Sequence, residues 1–480
     1  MVKNDTITSA TIELYGIPLD SNLKKTQEEM EDKIKSKFSG DVEAVVVVPN
    51  LTEAYKAYRI KIDCDNHLEH FHALNERDGK KHMVSTSCLC CKKEDAIDHY
   101  EKKRTDAQAE FTKLRADYEN NTTEIAYVIC KDEETAVKVL QTIEELEYSF
   151  GKKLAASPAP GMSNIYWENL NANRKASATK GCCLTILFFL IVFFVCTPTT
   201  FIGVIESVIG GFVGAFIGGF LPMICIAIYF EVLIPAVINL LVRLEKHHTI
   251  GSAKSSAMYK FLGFFSIELF YFPTIITSVF YAVIHGEDIG ASLPPAIARM
   301  GLDFLSYLSG MAFLTLGFWL LQAGTLISRF IKDKTAVTDR DRAMAWATNP
   351  FDVPKNMALF LTIMIISMAY VNIAPLVTLM GAVYFNIRYF ADKYNISTLF
   401  YFDFESKGET PKKALNFVLI AIFTFQLISG LMMMNLGHHG YSAVGAVYAL
   451  IAVVLLFLGV CCAKRVFVDK DIQYSKDSVD

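Results

Sequence analysis

The chain has 480 residues, 52% of them hydrophobic, and a formal net charge of −4. Ordinary soluble proteins are about 45–50% apolar, so the excess calls for a lipid environment, and the mildly acidic balance argues against the basic surface that a nucleic-acid partner needs. The eleven cysteines are scattered, several of them inside apolar runs, which favours reduced thiols over a disulfide framework.

The apolar residues are unevenly placed. Up to about residue 178 the chain is rich in Lys, Glu and Asp; beyond it Leu, Ile, Phe, Val and Gly dominate. This predicts an aqueous N-terminal domain over 1–175, a membrane domain over 176–466 and a polar tail over 467–480. In the first domain, 10–17 and 42–48 read as strands with a polar helix over 22–38 between them, and a strand over 124–129 followed by a helix over 136–146 repeats that order. The pattern is an α+β domain with an RNA-recognition-like sheet. Its third strand, Ile125-Ala126-Tyr127-Val128-Ile129, lacks the aromatic run that stacks bases, so a structural module without nucleic acid is expected. Between the halves, Ile97, Tyr100, Ala107, Phe111, Leu114 and Tyr118 keep a/d heptad spacing and predict a long helical arm with one face packed on a neighbour.

Cys88, Cys90 and Cys91 lie just before that arm, with Cys64, His67, His70 and His72 upstream. The spacing matches no standard zinc knuckle, and three readings stay open: S-acylation onto the inner leaflet, a metal site, or plain thiols. No motif calls for a cofactor, and no Walker loop, zinc-protease helix or Gly-x-Ser-x-Gly elbow is present, so no enzyme is expected.

A spanning helix needs about 20 apolar residues. Eight windows qualify: 182–201, 211–241, 261–284, 298–330, 357–371, 373–390, 415–436 and 443–462. Alternate loops are basic (Arg243, Lys246, Lys254 and Lys260; Lys332, Lys334, Arg340 and Arg342; Lys393, Lys407, Lys412 and Lys413), which puts both termini in the cytosol. Ionisable groups at the bilayer centre are costly and usually line a hydrated path, so Glu231, Glu268 and Asp303, none with a basic partner evident in its own helix, are candidate ion-path residues. The alternative is that these acids are protonated or bonded to neighbouring helices. The fourth window carries Gly301, Gly310, Gly317 and Gly324 over a span longer than a membrane demands, which permits bending.

Several segments together resemble the hyperosmolality-gated calcium-permeable channel (OSCA) family, which includes the calcium-permeable stress-gated cation channels. They are Ala159-Pro160-Gly161-Met162-Ser163-Asn164-Ile165-Tyr166-Trp167-Glu168-Asn169-Leu170 with Arg174 and Thr197-Pro198; Ile373-Ala374-Pro375-Leu376-Val377 leading into Tyr384-Phe385; Asp392-Lys393-Tyr394-Asn395; and Lys93 to Tyr100, which opens the helical arm. The resemblance covers almost the whole chain and implies an anoctamin-like bundle, of which about eight helices are present and three N-terminal ones missing. It further implies a mechanically or osmotically gated, nonselective cation channel that admits calcium, potassium and sodium. The pore would lie on the first five membrane helices, where Glu231, Glu268, Asp303, Gln322 and Asn372 fall, with Gly310, Gly317 and Gly324 on the gating helix. The acidic residue that some relatives carry late in that helix is Trp319 here, and the membrane-hooking loop of relatives corresponds to Ser87 to Cys91. Membrane lipids, a second copy of the chain, or a separate chain supplying the missing helices are the implied partners, and the plasma membrane is the default location. A phospholipid scramblase on the same scaffold and a nonconducting subunit are the alternatives.

Overall fold

The computed structural model describes residues 10–17, 22–38, 40–85, 93–118, 122–141, 154–195, 229–271, 286, 289–402 and 409–435, with isolated positions between 445 and 455. The chain forms two compact units. The first comprises Met1–Asn173, Gly324–Ala347 and Lys470–Asp480; the second comprises Arg174–Ala323 and Thr348–Asp469.

In the first unit, β1 (Thr11–Tyr15), α1 (Leu23–Lys37), β2 (Val42–Pro49), α2 (Thr52–Asp78), β3 (Met83–Ser85), β4 (Lys93–Asp95), α3 (Ala96–Ala116), β5 (Thr122–Cys130), α4 (Glu133–Gln141) and β6 (Ala155–Pro158) follow in order. The main sheet runs β2-β5-β1-β6, every neighbour antiparallel, so β1-α1-β2 is a crossover split by β5. Period-two alternation divides its residues. Ile12, Leu14, Val45, Val47, Ala126 and Val128 pack against Met30 and Ile34 of α1 and Ala136 and Val139 of α4. The opposite face, with Ile125, Val48, Tyr15 and Tyr127, is covered by Ile165 and Leu170. The residues that would form a base-stacking platform are therefore occupied by the chain's own Met162-to-Leu170 segment.

The arm is a helical hairpin. Its second helix, α3, is the one that the heptad spacing predicts, and its neighbour is α2, 27 residues or about 40 Å at 1.5 Å per residue. Tyr58 meets Phe111 with ring centroids 5.5 Å apart, and His67 stacks on Tyr100 at 4.5 Å. Asn22 caps α1, and the Asp95 carboxylate caps α3 by accepting from the Ile97 N–H at 3.0 Å.

Beyond residue 173 the helices are α5 (Arg174–Val195), α6 (Ile234–Leu244), α7 (Ile250–Ser266), α8 (Ile289–Gly310), α9 (Leu316–Leu321), α10 (Ala323–Thr335), α11 (Asp339–Trp346), α12 (Val353–Ala369), α13 (Pro375–Thr398) and α14 (Glu409–Asn435). Nearly all of α10 and the whole of α11 fall in the first unit, and the others in the second. A capping box between Thr338 and Asp341 opens α11. Two helical stretches among the described residues are long and apolar enough to cross a membrane, Met300–Thr335 and Lys413–Gly430; Ile234–Leu244 and Val353–Ala369 are apolar but shorter. Ile186, Leu187, Phe313, Phe318, Leu320, Leu376 and Phe390 are exposed, a display of large apolar side chains suited to a lipid environment. Most of the window over 443–462 and the first part of that over 211–241, up to residue 228, fall outside the described residues.

The centre of the second unit is α12, whose Ile363, Ile365, Ile366, Ala369 and Tyr370 are buried among α8, α13 and α14. Close approach is set by small residues. A Cβ on Gly301 would lie 3.0 Å from the Ala374 Cβ, and one on Gly381 would overlap the Ser367 hydroxyl, which itself donates to the Ile363 carbonyl at 2.8 Å. Gly381→Ala is therefore expected to lower stability by about 1–3 kcal/mol, the usual range for an overpacked core. Thermal unfolding of the detergent-solubilised chain checks this, with Gly310→Ala as the comparison because nothing lies within 4 Å of a Cβ there.

Candidate functional site

Among the described residues, three π-helical turns interrupt the second unit: Tyr229–Leu233, Ile267–Tyr271 and Met311–Thr315. Such i→i+5 turns are rare and concentrate at functional sites. Glu231 lies in the first turn and Glu268 in the second, so two of the three acids singled out in the sequence sit where helical bonding is disturbed. The third begins immediately after Gly310. Glu268 is half-buried; the Glu231 side chain lies outside the described residues. Asp303 is exposed on α8, on the side away from buried Phe304 and Leu308. Asn372, in the turn after α12, donates to the Ser429 hydroxyl on α14 at 2.9 Å.

The fourth predicted helix does not continue through its length. It stops at Gln322, whose φ of +50° is left-handed, a conformation that costs a non-glycine residue about 1–2 kcal/mol. The break separates α9 from α10 and releases the Trp319 carbonyl from its helical partner. Two side-chain amides replace that partner: Gln322 Nε2 donates at 2.7 Å and Asn395 Nδ2 at 3.1 Å. Gln322 and Asn395 are both buried. The Asn395 side chain is thus a structural amide inside the fold.

Trp319 is held from its other side as well. Its indole N–H donates to Asp392 at 2.8 Å, and the Arg388 guanidinium lies 4.4 Å from the ring centroid. Arg388 Nε reaches both Asp392 oxygens at 2.9 Å, and its Nη2 donates to Asn356 Oδ1 at 2.7 Å. Phe400 stacks on Trp319 at 5.6 Å. A groove of about 580 Å³ opens beside this network, with Arg388, Asp392, Lys393 and Phe360 on its wall. Sequence reasoning does not single out Arg388 and Asn356. A signal for the first exists, because Arg388 and Asp392 stand four apart on one helical face.

A second buried charge cluster follows α6. Glu245 accepts from His247 at 2.7 Å and Ser256 at 2.7 Å and pairs with Lys260 Nζ at 2.6 Å. Burial pushes the Glu245 carboxyl up, but the bonds from His247, Lys260 and Ser256 outweigh it and bring it down to about 2.

The first unit has its own cluster. His70 Nδ1 on α2 lies 2.8 Å from Asp341 Oδ2, and Arg340 pairs with Glu69 at 3.4 Å. Partial burial raises the Asp341 carboxyl, yet His70 and the capping N–H groups of Thr338 and Val337 lower it to about 2. His67 stacks on Tyr100 and Cys64 is buried, so neither stands in a ligand set. No group of three metal-binding side chains occurs among the described residues. Cys88, Cys90 and Cys91 lie outside them. A Cβ added at Gly310, Gly317 or Gly324 would meet nothing within 4 Å, so packing does not demand glycine at any of the three.

With this geometry in place, comparison with known proteins is decisive at the level of the family. Residues 180–433 match the family described as "Calcium-dependent channel, 7TM region", and the chain belongs to it. Residues 9–169 match a second family, described as the cytosolic domain of 10TM proteins for which phosphate transport is supposed. The chain is 22% identical over 401 residues to CSC1-like protein ERD4 of Brassica juncea, covering 78% of this chain and 53% of the relative. It is 20% identical over 438 residues to mechanosensitive cation channel TMEM63A of Mus musculus, covering 82% and 54%. It is 23% identical over 362 residues to hyperosmolality-gated Ca2+ permeable channel 3.1 of Arabidopsis thaliana, covering 69% and 48%. The chain spans about half the length of the curated relatives it matches. The resemblance to the OSCA family read from the motifs holds, and the chain is an integral membrane protein of a channel family.

Two outcomes test the clusters. Arg388→Gln leaves the Asp392 carboxylate without its ion partner and is expected to cost about 3–5 kcal/mol, whereas Trp319→Phe keeps the stack and costs about 1–2 kcal/mol; equal shifts in thermal unfolding would contradict the arrangement. Asp341 is lowered in the folded state, so its stabilisation is full above the ordinary carboxylate range, near pH 4, and is lost as pH falls towards 2. Hydrogen exchange at the start of α11 is expected to lose protection over that window in the native chain, and to be unprotected already at neutral pH in Asp341→Ala.

Proposed function

We propose that this chain forms the conducting part of a mechanically or osmotically gated, nonselective cation channel that admits calcium. The observation that carries the reading is the coincidence of Glu231 and Glu268 with π turns in the membrane unit of a chain belonging to a channel family. A π turn displaces helical carbonyls from their usual partners, and a carboxylate beside them adds negative charge where a partly dehydrated cation needs oxygen. Asp303, Gln322 and Asn372 extend the path. Both termini face the cytosol, the bundle has about eight helices of anoctamin-like arrangement, and the RNA-recognition-like unit acts mechanically rather than on nucleic acid.

Gating follows from the fourth helix. It is interrupted twice, by the π turn after Gly310 and by the break at Gln322, and Gly310, Gly317 and Gly324 on it are free of packing demands. Tension biases such a helix only to the extent that its bent and straighter states differ in shape or area.

One observation favours a scramblase as the second reading. Asp303 is exposed beside Leu302, itself 75% exposed, which puts a polar group on a face of the kind that lipid meets.

Patches drawn from liposomes containing the purified chain, with suction stepped, separate these readings. A stretch-activated cation current that changes conductance or selectivity in Glu268→Gln is the expected result. Lipid flux without current would favour the scramblase, and silence in both assays from folded protein would contradict the two together. Gly317→Ala, which adds about 1 kcal/mol of helix propensity with no steric conflict, is expected to shift the pressure threshold and leave unitary conductance unchanged.

A further inference from the structure

The α5 helix has two distinct faces. Phe188 is buried and Gly181 lies against Glu245, where a Cβ would come within 3.3 Å of its side chain. On the other side Ile186, Leu187, Leu190 and Ile191 are all more than half exposed. Residues four apart share a helical face, so Cys182 continues the stripe of Ile186 and Leu190, and Cys183 that of Leu187 and Ile191. Both thiols are free and exposed.

Their depth is equally specific. Arg174, Lys175 and Lys180 occupy the first turns of α5, and from Cys182 to Val195 there is no charged residue. The cysteines therefore stand where the basic turns give way to the apolar run, with basic side chains suited to the anionic headgroup region. The match to a cytosolic domain ends at residue 169, and α5 starts at Arg174, which puts this end of the helix at the cytosolic leaflet.

We infer that Cys182 and Cys183 are S-acylated, each carrying a long-chain fatty acid that lies along the Ile186-Leu190 and Leu187-Ile191 stripes. The donor is a long-chain acyl thioester. The cysteine sulfur attacks the acyl carbonyl, an S–C bond forms on the chain, the carrier's C–S bond breaks, and the cysteine proton ends on the carrier's sulfur without oxidation or reduction. A chain already in contact with the helix surface needs little ordering, and each buried CH₂ adds about 0.8 kcal/mol of membrane affinity. This site is separate in sequence from Cys88, Cys90 and Cys91, which lie between α2 and α3.

The test is acyl-to-mass-tag exchange on the full chain expressed in eukaryotic cells. After free thiols are blocked, hydroxylamine is used to cleave thioesters and a maleimide tag is added. In a Cys88→Ser/Cys90→Ser/Cys91→Ser background, hydroxylamine-dependent tagging is expected to persist, and further Cys182→Ser/Cys183→Ser is expected to remove two tags. Unchanged tagging in that last variant would overturn the proposal. Peptide mass spectrometry of the wild-type segment beginning at Gly181 decides the same question without any substitution: an acyl mass on these cysteines supports it, and two free thiols refute it.

Discussion

A helix that breaks inside a membrane domain releases carbonyls that water does not reach, and each must find another donor. In this chain the break is at Gln322, and the released Trp319 carbonyl is bonded by the Gln322 and Asn395 amides. Asn395 is placed by α13, which also supplies Arg388 and Asp392; Arg388 in turn reaches Asn356 on α12. Three helices are thus committed to one interruption. The left-handed backbone at Gln322 is tolerated because these bonds over-determine it, the usual condition for strain to persist in a native fold. The break lies directly before the point where the chain passes from the membrane unit to Gly324–Ala347.

The segment beyond the break belongs with the first unit, not with the helices that precede it. Asp341 joins α11 to His70 of the helical arm, while Arg340 meets Glu69 one residue away. The arm therefore contacts the continuation of the proposed gating helix through one short-range pair and one exposed pair. Exposed pairs contribute little stability by themselves. A weak contact of this kind is suited to the shifting equilibrium that the proposed gating requires.

Much of the architecture is legible in sequence. Strands β1, β2 and β5 are readable because they are short runs rich in β-branched and apolar residues, as in Val45 to Val48 and Ile125 to Ile129, and α3 because its heptads are nearly unbroken. The partner helix α2 is not, since Tyr55, Tyr58, Ile60 and Ile62 place apolar side chains on its exposed side as well and blur the stripe. In the membrane unit, a search for acids with no basic residue evident in their own helix finds Glu231, Glu268 and Asp303 but passes over Arg388 and Asp392, whose pairing is internal to α13. Trp319 reads in sequence as a loss of charge relative to other family members. In the structure the carboxylate is still beside it, supplied by Asp392 from another helix. The π turns have no sequence signature that propensity reasoning reads, because they differ from an α-helix by one inserted residue.

The most direct measurement is the pressure threshold of the reconstituted chain with Gln322 replaced by alanine and, separately, by glycine. Both remove the amide bonded to the Trp319 carbonyl, but alanine keeps the cost of the left-handed backbone and glycine abolishes it. If the break at Gln322 is part of gating, Gln322→Ala shifts the threshold from wild type and Gln322→Gly lies apart from it, by the equivalent of about 1 kcal/mol. Identical thresholds in all three proteins, with folding intact, would contradict a gating role for the break.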